Sequence, residues 1–488
     1  MLKKYVFWFI TGSQHLYGEE TLKQVAKDST EIVKELDNSL PCKVLFKPTV
    51  TTPDEITAMC IAANNDSECA GIITWMHTFS PSKMWINGLK ILNKPMLHLH
   101  TQFNRDIPWQ SIDMDFMNLN QAAHGDREHG YIGTRLRLNR KVISGFWKEE
   151  DTQKRIEIWM RAAIGAYESK RLKIARLGDN MREVAVTEGD KVEAQIKFGW
   201  AINGYGLGDF VELVNEVTNN EVDTLIKEYN DSYVINTDNL ESIKEQAKYE
   251  IALKNFMKKG NFGAFTTTFE DLHGLKQLPG LSSQRLMQAG FGFGPEGDWK
   301  TAALVRIFKL MTADLNGGTT LMEDYTYHLE PGREAILGSH MLEICPSISC
   351  EKAKIEVHDL GIGGKDAPAR LVFDGKEGNA ICVTLIDMGN RFRMIVNEVE
   401  AIKSYYDMPK LPVARVMWKP LPDFKTATEA WIYAGGAHHT AMTYDLTTEH
   451  LRDFAEMMDI ELIVINKETK IEELKKELQY NDIIWKFK

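Results

Sequence analysis

The sequence has no apolar run close to the ~20 residues needed to cross a bilayer. Its N-terminal apolar run, residues 5–10, is too short for the hydrophobic region of a secretion signal, and no small-residue cleavage site follows it. We therefore expect this run to form a buried strand, and we expect a cytoplasmic protein with no membrane partner.

Cysteine is also scarce, and basic residues are outnumbered by acidic ones. The six cysteines include no Cys-x-x-Cys pair, which in a chain of this size is typical of reduced, mostly buried thiols. Lys and Arg number 58 against 69 Asp and Glu, for a net charge of −11. This balance argues against a nucleic-acid partner, and residues 467–477, which mix both signs, are predicted to form a solvated helix face.

Motifs of several common enzyme classes are missing. The glycine-rich segments at 204–208 and 290–294 lack the Gly-x-Gly-x-x-Gly spacing, do not close a convincing strand and are interpreted as turns. There is no P-loop Gly-Lys-Ser/Thr, no Gly-x-Ser-x-Gly elbow and no His-Glu-x-x-His helix. Nucleotide-binding, serine-hydrolase and zincin functions therefore receive little support.

What the chain does have is the length and patterning of a multidomain globular protein. Its 488 residues, 43% hydrophobic and 26% charged, predict two to four domains. Short apolar runs predict strands that alternate with helical patterns, with strands at 5–10, 43–46, 71–75 and 95–100 and helices at 20–36, 53–63 and 81–92. This alternation predicts a doubly wound parallel sheet in a first α/β domain, residues 1–171.

The remaining patterns predict two further domains. Residues 149–171 are predicted to form a connecting helix, and a strand at 172–177 opens a second doubly wound α/β domain, residues 172–316. Closely spaced strands then predict a β-rich, barrel-like C-terminal domain, residues 317–488, with strands at 353–358, 369–373, 380–387 and 392–399.

Two acidic and two histidine segments in the last two-fifths of the chain are the strongest indication of chemistry. Glu296, Glu323, His340 and the pair His438-His439 offer carboxylate and imidazole ligands of the kind that suit Mn²⁺ or Mg²⁺. Such a site leaves positions open for sugar hydroxyls, as a metal-assisted aldose–ketose isomerase requires. Taken singly, each residue is more often a surface charge or a structural histidine, and spacing alone does not prove that they converge.

Several longer segments closely resemble the bacterial L-arabinose isomerase family. The match runs from about residue 5 to about residue 440 and includes Gly-Ser-Gln-His-Leu-Tyr-Gly (12–18), His-Thr-Phe-Ser-Pro (77–81), Gly-Asp-Asn-Met-Arg-Glu-Val (178–184), Glu-Gly-Asp-Trp-Lys-Thr-Ala (296–302), Met-Glu-Asp-Tyr-Thr-Tyr-His (322–328) and Gly-Gly-Ala-His-His (435–439).

The resemblance implies conversion of L-arabinose to L-ribulose, with activity on D-galactose to give D-tagatose. It implies Mn²⁺, with Co²⁺ as a possible substitute, bound by Glu296, Glu323, His340 and His439. It further implies a homo-oligomer, commonly a hexamer, with active sites between subunits. The implied sugar contacts are Gln14, Leu16, Gln121 and His124 from a neighbouring protomer, together with Met181, Phe269, Tyr325, Ile362 and His438.

The expected mechanism is proton transfer through a cis-enediolate, with Glu296 and Glu323 as the acid/base pair. Three alternatives stay open at this point. They are isomerisation of another aldose such as fucose, a sugar-binding protein without catalysis, and a metallohydrolase that acts on a carbohydrate derivative.

Overall fold

The computed structural model describes residues 2–487, and the chain divides into two compact units. The first unit comprises the described residues up to Tyr167 together with Glu449–Asp459, and the second comprises Glu168–Thr448 with the described residues from Ile460 onward. The domain boundaries near residues 171 and 316 stay a prediction. The central and C-terminal segments on either side of residue 316 share one compact unit. Within residues 2–487, no helix is both long and apolar enough to span a bilayer.

The first unit is built on a parallel sheet with helices between its strands. The strands are β1 (Val6–Gly12), β2 (Lys43–Phe46), β3 (Cys69–Met76), β4 (Met96–His100) and β5 (Lys141–Ser144). The helices are α1 (Gly18–Ser39), α2 (Pro53–Asn65), α3 (Ile86–Ile91), α4 (Met114–Leu119), α5 (Ala122–Arg135) and α6 (Glu150–Ser169). The strand order β2-β1-β3-β4-β5 is doubly wound, since the chain reverses direction across the sheet from β1.

Local sequence explains these elements. Every residue of β1 is buried, as the apolar run at 5–10 predicts. Helix α2 begins at a capping box, in which the Thr52 hydroxyl accepts from the Glu55 backbone and the Glu55 side chain accepts from the Thr52 backbone. Pro53 occupies the first helical turn, where its missing N–H costs no hydrogen bond.

The second unit contains a smaller parallel sheet and its helices. Its strands, in the spatial order β10-β9-β6-β7, are β6 (Lys173–Leu177), β7 (Ala201–Tyr205), β9 (Ala264–Thr266) and β10 (Gly292–Gly294). The helices are α7 (Lys191–Phe198), α8 (Leu207–Glu216), α9 (Asn219–Ser232), α10 (Leu240–Gly260), α11 (Gly280–Gln288) and α12 (Trp299–Met311). Strand β10 lies within a segment that we expected to be a turn, and it pairs in parallel with β9.

A closed β-barrel follows in the same unit. Its strands are β11 (Thr319–His328), β12 (Ala335–Ser339), β15 (Gly378–Asp387), β16 (Phe392–Ile402), β17 (Arg415–Pro420) and β18 (His439–Thr443). They pair in the order β15-β18-β11-β12-β17-β16, and pairing of β15 with β16 closes the ring. Strand β19 (Glu461–Ile465) extends the sheet from β16, and the remaining helices of this unit are α13 (Phe424–Ala434) and α15 (Ile471–Ile484). Helix α14 (Thr448–Met458) belongs to the first unit from Glu449 onward. The predicted β-rich, barrel-like fold is confirmed.

Two of the strands that we predicted for the barrel lie elsewhere. Residues 353–358 and 369–373 correspond to β13 (Lys354–Val357) and β14 (Ala369–Val372), which pair with each other. Strand β13 also pairs in parallel with β8 (Val234–Ile235), so these strands form a separate three-stranded sheet. The reason is that β8 is far away in sequence, and local strand patterns do not specify such a partner.

Close packing fixes the strand that ends beside the candidate site. A Cβ at Gly338 of β12 would lie 1.9 Å from Cζ3 of Trp418, so only glycine permits this approach. Trp418 is almost fully buried and packs in one apolar cluster with Met322, Ile336 and Met442 of the neighbouring barrel strands. Because interiors of this kind are densely packed, the barrel provides a rigid frame for side chains at its strand ends.

Candidate metal centre

Sheet register brings three of the predicted ligand segments together. Glu323 lies within β11, where it is opposite His439 of β18 on one side and opposite Ser339 of β12 on the other. His340 follows Ser339 directly, at the end of β12. His439 is the first residue of β18, and its backbone joins the barrel ladder.

Glu296 reaches the same place from the turn between β10 and α12. Its backbone has φ = 57°, in the left-handed region that a residue with a side chain seldom adopts, and its carbonyl accepts a hydrogen bond from the Met181 amide. Gly297 follows with φ = 79°, and a Cβ there would lie 2.6 Å from Cα of Asn180. The strained turn is therefore held by close packing, which is common where a side chain must be aimed at a site.

Three of the four predicted metal ligands converge, and the fourth, Glu323, lies beside one of them. Glu296, His340 and His439 each have one ligand atom within 4.8 Å of the others. The Glu323 carboxylate lies 3.9 Å from Nε2 of His340, and the Glu296 carboxylate lies 3.9 Å from Nε2 of His439. His438 adds Nε2 at 3.5 Å from Glu296. Glu296, His340 and His439 thus form one cluster, with the Glu323 carboxylate next to His340.

Both candidate ligand histidines, His340 and His439, have their Nδ1 atoms held by buried carboxylates. Nδ1 of His340 lies 2.5 Å from Glu343, and Nδ1 of His439 lies 3.2 Å from Asp298. An ionised carboxylate only accepts, so each Nδ1 carries the proton and each Nε2 is left with its lone pair facing the centre. The sequence reasoning missed Glu343, although its position three residues after His340 was an available signal.

The residues present fit a metal ion. Nε2 of His439 is buried and has no hydrogen-bond partner among the described residues. A buried lone pair without a partner is unfavourable, whereas a cation at this point would satisfy it together with the nearby carboxylates. Mixed nitrogen and carboxylate-oxygen donors are the set that a divalent transition-series ion such as Mn²⁺ accepts.

The acid beside the centre is also built into the fold. Oδ1 of Asp298 caps helix α12 by accepting from the amides of Lys300 and Thr301, and the Lys300 ammonium lies 3.6 Å away. Burial would raise the pKa of Asp298, but Lys300 and His439 outweigh it, and the pKa lies below its usual value. Asp298 is therefore a charged acceptor for His439.

The pKa values of two carboxyl groups, Glu296 and Asp324, are shifted in opposite directions. Burial would raise the pKa of Glu296, yet its hydrogen bond with His438 and the neighbouring imidazoles lower it overall. Beside Glu323, burial and the charge of that glutamate raise the pKa of Asp324 to about 7. Glu296 is therefore an ionised carboxylate at neutral pH, and Asp324, next to Glu323 on β11, titrates near neutral pH.

The other predicted sugar-contacting residues of the second unit surround this centre or approach it. The Phe269 ring stacks on the His340 ring with centroids 6.1 Å apart, and His438 lies against Glu296. Met181 is joined to Glu296 through its backbone amide. Tyr325 is two residues along β11 from Glu323 and half exposed, and Ile362 lies on a loop that approaches Phe269 at Gly363.

The remaining predicted sugar contacts lie in the first unit. Gln14 and Leu16 follow β1, and Leu16 is 82% exposed. Nε2 of Gln121 donates to the Tyr17 hydroxyl at 3.2 Å, and the His124 ring lies 4.8 Å from the Phe79 ring. They follow β1 or begin α5, near the carboxyl edge of the sheet, where doubly wound domains bind ligands.

Comparison with known proteins places these features in one family. Models of the L-arabinose isomerase N-terminal, central and C-terminal domains match residues 1–171, 173–314 and 318–461. The chain is 60% identical over 493 residues to a Geobacillus stearothermophilus protein named L-arabinose isomerase, with 99% of each chain covered. It is 57% identical over 488 residues to a protein of the same name from Thermotoga maritima. That alignment covers 99% of this chain and 98% of the relative.

Proposed function

Because the chain belongs to the L-arabinose isomerase family, we propose that it converts L-arabinose to L-ribulose by aldose–ketose isomerisation. The observation that carries the proposal is the cluster of Glu296 with the buried histidines His340 and His439, beside which the Glu323 carboxylate lies 3.9 Å from Nε2 of His340. Two carboxylates at an open centre suit proton transfer between neighbouring carbons. A binding protein without catalysis has no need of such a pair.

We propose that Glu296, Glu323, His340 and His439 hold Mn²⁺, with Co²⁺ as a possible substitute. When bound, the ion would act as a Lewis acid that polarises the substrate carbonyl. The chain supports this role by presenting His340 and His439 with Nε2 free, since Glu343 and Asp298 hold their Nδ1 atoms.

The chain's own residues then move the proton. One of Glu296 and Glu323 accepts the proton from C2 of the open-chain sugar, a cis-enediolate forms, and return of the proton to C1 gives the ketose. The other glutamate assists transfer between O1 and O2. Glu296 is ionised at neutral pH and can accept a proton, and its lowered pKa makes it a weaker base than an ordinary glutamate.

Activity on D-galactose, giving D-tagatose, follows from stereochemistry. D-Galactose and L-arabinose have the same configuration at C2, C3 and C4, so the reacting carbons present the same hydroxyl pattern. The additional hydroxymethyl group must find room beside the site. We expect a kcat/KM for galactose roughly 10- to 200-fold lower than for arabinose, the range for a small group that fits a pocket poorly.

We further propose a cytoplasmic homo-oligomer, with a hexamer as the expected form. The six cysteines are free and five of them are buried, which suits a reducing compartment. In this assembly Gln14, Leu16, Gln121 and His124 contact the sugar bound by a neighbouring subunit. The strong exposure of Leu16 supports a contact outside its own unit.

Product identification tests the proposed reaction. Purified protein with added Mn²⁺ is incubated with L-arabinose, D-galactose or L-fucose. The products are separated by chromatography, and their masses are measured by mass spectrometry. We expect L-ribulose of unchanged mass as the main product and D-tagatose at a lower rate. Ketose from fucose alone would identify another aldose isomerase, and two smaller products would indicate a hydrolase.

A further inference from the structure

A buried carboxylate in the first turn of α5 joins this helix to two strands of the sheet. Asp126 is 3% exposed. Its Oδ1 accepts from the Met76 amide at 3.1 Å and from Nε2 of His98 at 2.9 Å. Its Oδ2 accepts from Nδ1 of His100 at 2.8 Å. Three donors from the carboxyl ends of β3 and β4 therefore converge on one side chain.

The same helical turn is seated against the sheet by its backbone. A Cβ at Gly125 would lie 2.8 Å from the Thr78 carbonyl oxygen and 3.2 Å from Cβ of Met76, so glycine permits the close approach. The Gln121 amide donates to the His77 carbonyl at 2.9 Å. The His77 ring is in turn held by the buried Asp28 carboxylate at 2.8 Å. The start of α5 is thus fixed at several points.

We propose that Asp126 is a positioning residue that holds Gln121 and His124 in place for the sugar. The inference rests on the proposed function, in which these two side chains contact the substrate. Gln121 immediately precedes α5, and His124 lies two residues before Asp126. Loss of the carboxylate frees the first turn of α5 from β3 and β4, and both contacting side chains move with it.

The charge of the network explains why a carboxylate is used. Asp126 accepts from two imidazoles, and the hydrogen bond from His100 to Asp126 raises the pKa of this partly exposed histidine against the effect of burial. The Arg127 charge opposes this rise. Neighbouring His129 stacks edge-on with His98, and burial keeps its pKa well below the usual value. An amide at position 126 would offer one acceptor oxygen where the network has two.

Asp126→Asn tests the proposal, with Asp54→Asn on the exposed start of α2 as a matched control. We expect kcat/KM for L-arabinose to fall by about 10- to 100-fold in Asp126→Asn, mainly through a higher KM, since a displacement of about 1 Å can reduce rates by about 100-fold. Mn²⁺ affinity, followed by the electron paramagnetic resonance signal of free Mn²⁺, is expected to stay within about twofold of wild type. Faster hydrogen exchange confined to residues near 121–129 would accompany the loss. Wild-type kcat/KM in Asp126→Asn would overturn the proposal.

His100 provides a second pair of variants should Asp126→Asn fail to fold. The amide nitrogen of Asn occupies nearly the position of Nδ1 in His, so His100→Asn retains the donor to Asp126, whereas His100→Leu removes it. We expect KM near wild type for His100→Asn and a severalfold higher KM for His100→Leu, and equal values would overturn the proposal. Absence of ketose from wild-type protein contradicts the proposed function itself, whereas active wild type with unchanged variants contradicts only the role of Asp126.

Discussion

Glu296→Gln and Glu323→Gln proteins are each expected to form L-ribulose with kcat about 10³-fold below wild type. A glutamine amide cannot accept a proton from carbon, and general acid–base catalysis by a positioned side chain contributes about 10²- to 10⁴-fold. Because both residues are also proposed metal ligands, kcat is measured at saturating Mn²⁺, with metal occupancy determined separately. Loss of turnover in a fully loaded variant then reports proton transfer.

Glu400→Gln serves as the control for these substitutions. Glu400 lies on barrel strand β16 with an exposed side chain, so the same chemical change there is expected to leave kcat unaltered. A metal-loaded Glu296→Gln or Glu323→Gln protein that keeps more than about one tenth of the wild-type kcat would exclude that residue from the proton transfer.

Asp298→Ala is expected to weaken both the fold and the metal centre. The substitution removes the cap of α12, worth about 1 kcal/mol, and leaves the buried Lys300 ammonium without its countercharge, so the free energy of unfolding should fall by about 3 kcal/mol or more. It also frees Nδ1 of His439, and loss of such a partner typically lowers metal affinity by about 10- to 100-fold. Thermal unfolding and Mn²⁺ titration measure the two effects.

Asp298→Asn separates these two roles. The Asn oxygen can still cap α12, so stability is expected to decline less than in Asp298→Ala. Its amide N–H groups then face Nδ1 of His439, which favours the tautomer with the proton on Nε2 and blocks the nitrogen that faces the centre. Mn²⁺ affinity should fall as much as in Asp298→Ala. Normal affinity in Asp298→Asn would show that this carboxylate does not orient His439.

Much of the fold could be predicted because short, local sequence patterns specify many of its strands and helices. The apolar run of β1 and the Thr-Thr-Pro start of α2 are self-contained signals, and both elements form as predicted. Pairing between distant segments is not local. Strand β13 joins β8 across more than a hundred residues, and His439 enters a strand because β11 lies beside it. Neither partner could be identified from spacing.

In the candidate site, too, residue types could be predicted from the sequence, whereas contacts between distant segments could not. Residue types indicated Glu296, Glu323, His340 and His439 as one group, and the structure clusters Glu296, His340 and His439 with Glu323 next to His340. The carboxylates behind them were harder to identify, since the spacing of Glu343 three residues after His340 is a weak signal and its 2.5 Å approach to Nδ1 of His340 is seen only in the fold. Asp126 was missed for the same reason, because its three donors come from two different strands.

Ketose formation from L-arabinose by protein stripped with EDTA, before and after addition of Mn²⁺, tests the central claim most directly. The cluster of Glu296 with two oriented imidazoles, and Glu323 beside it, predicts that exhaustive removal of metal abolishes L-ribulose formation and that Mn²⁺ restores it. Metal analysis of the stripped protein verifies removal. Undiminished L-ribulose formation by protein shown to be free of metal would contradict the metal-dependent isomerase described above.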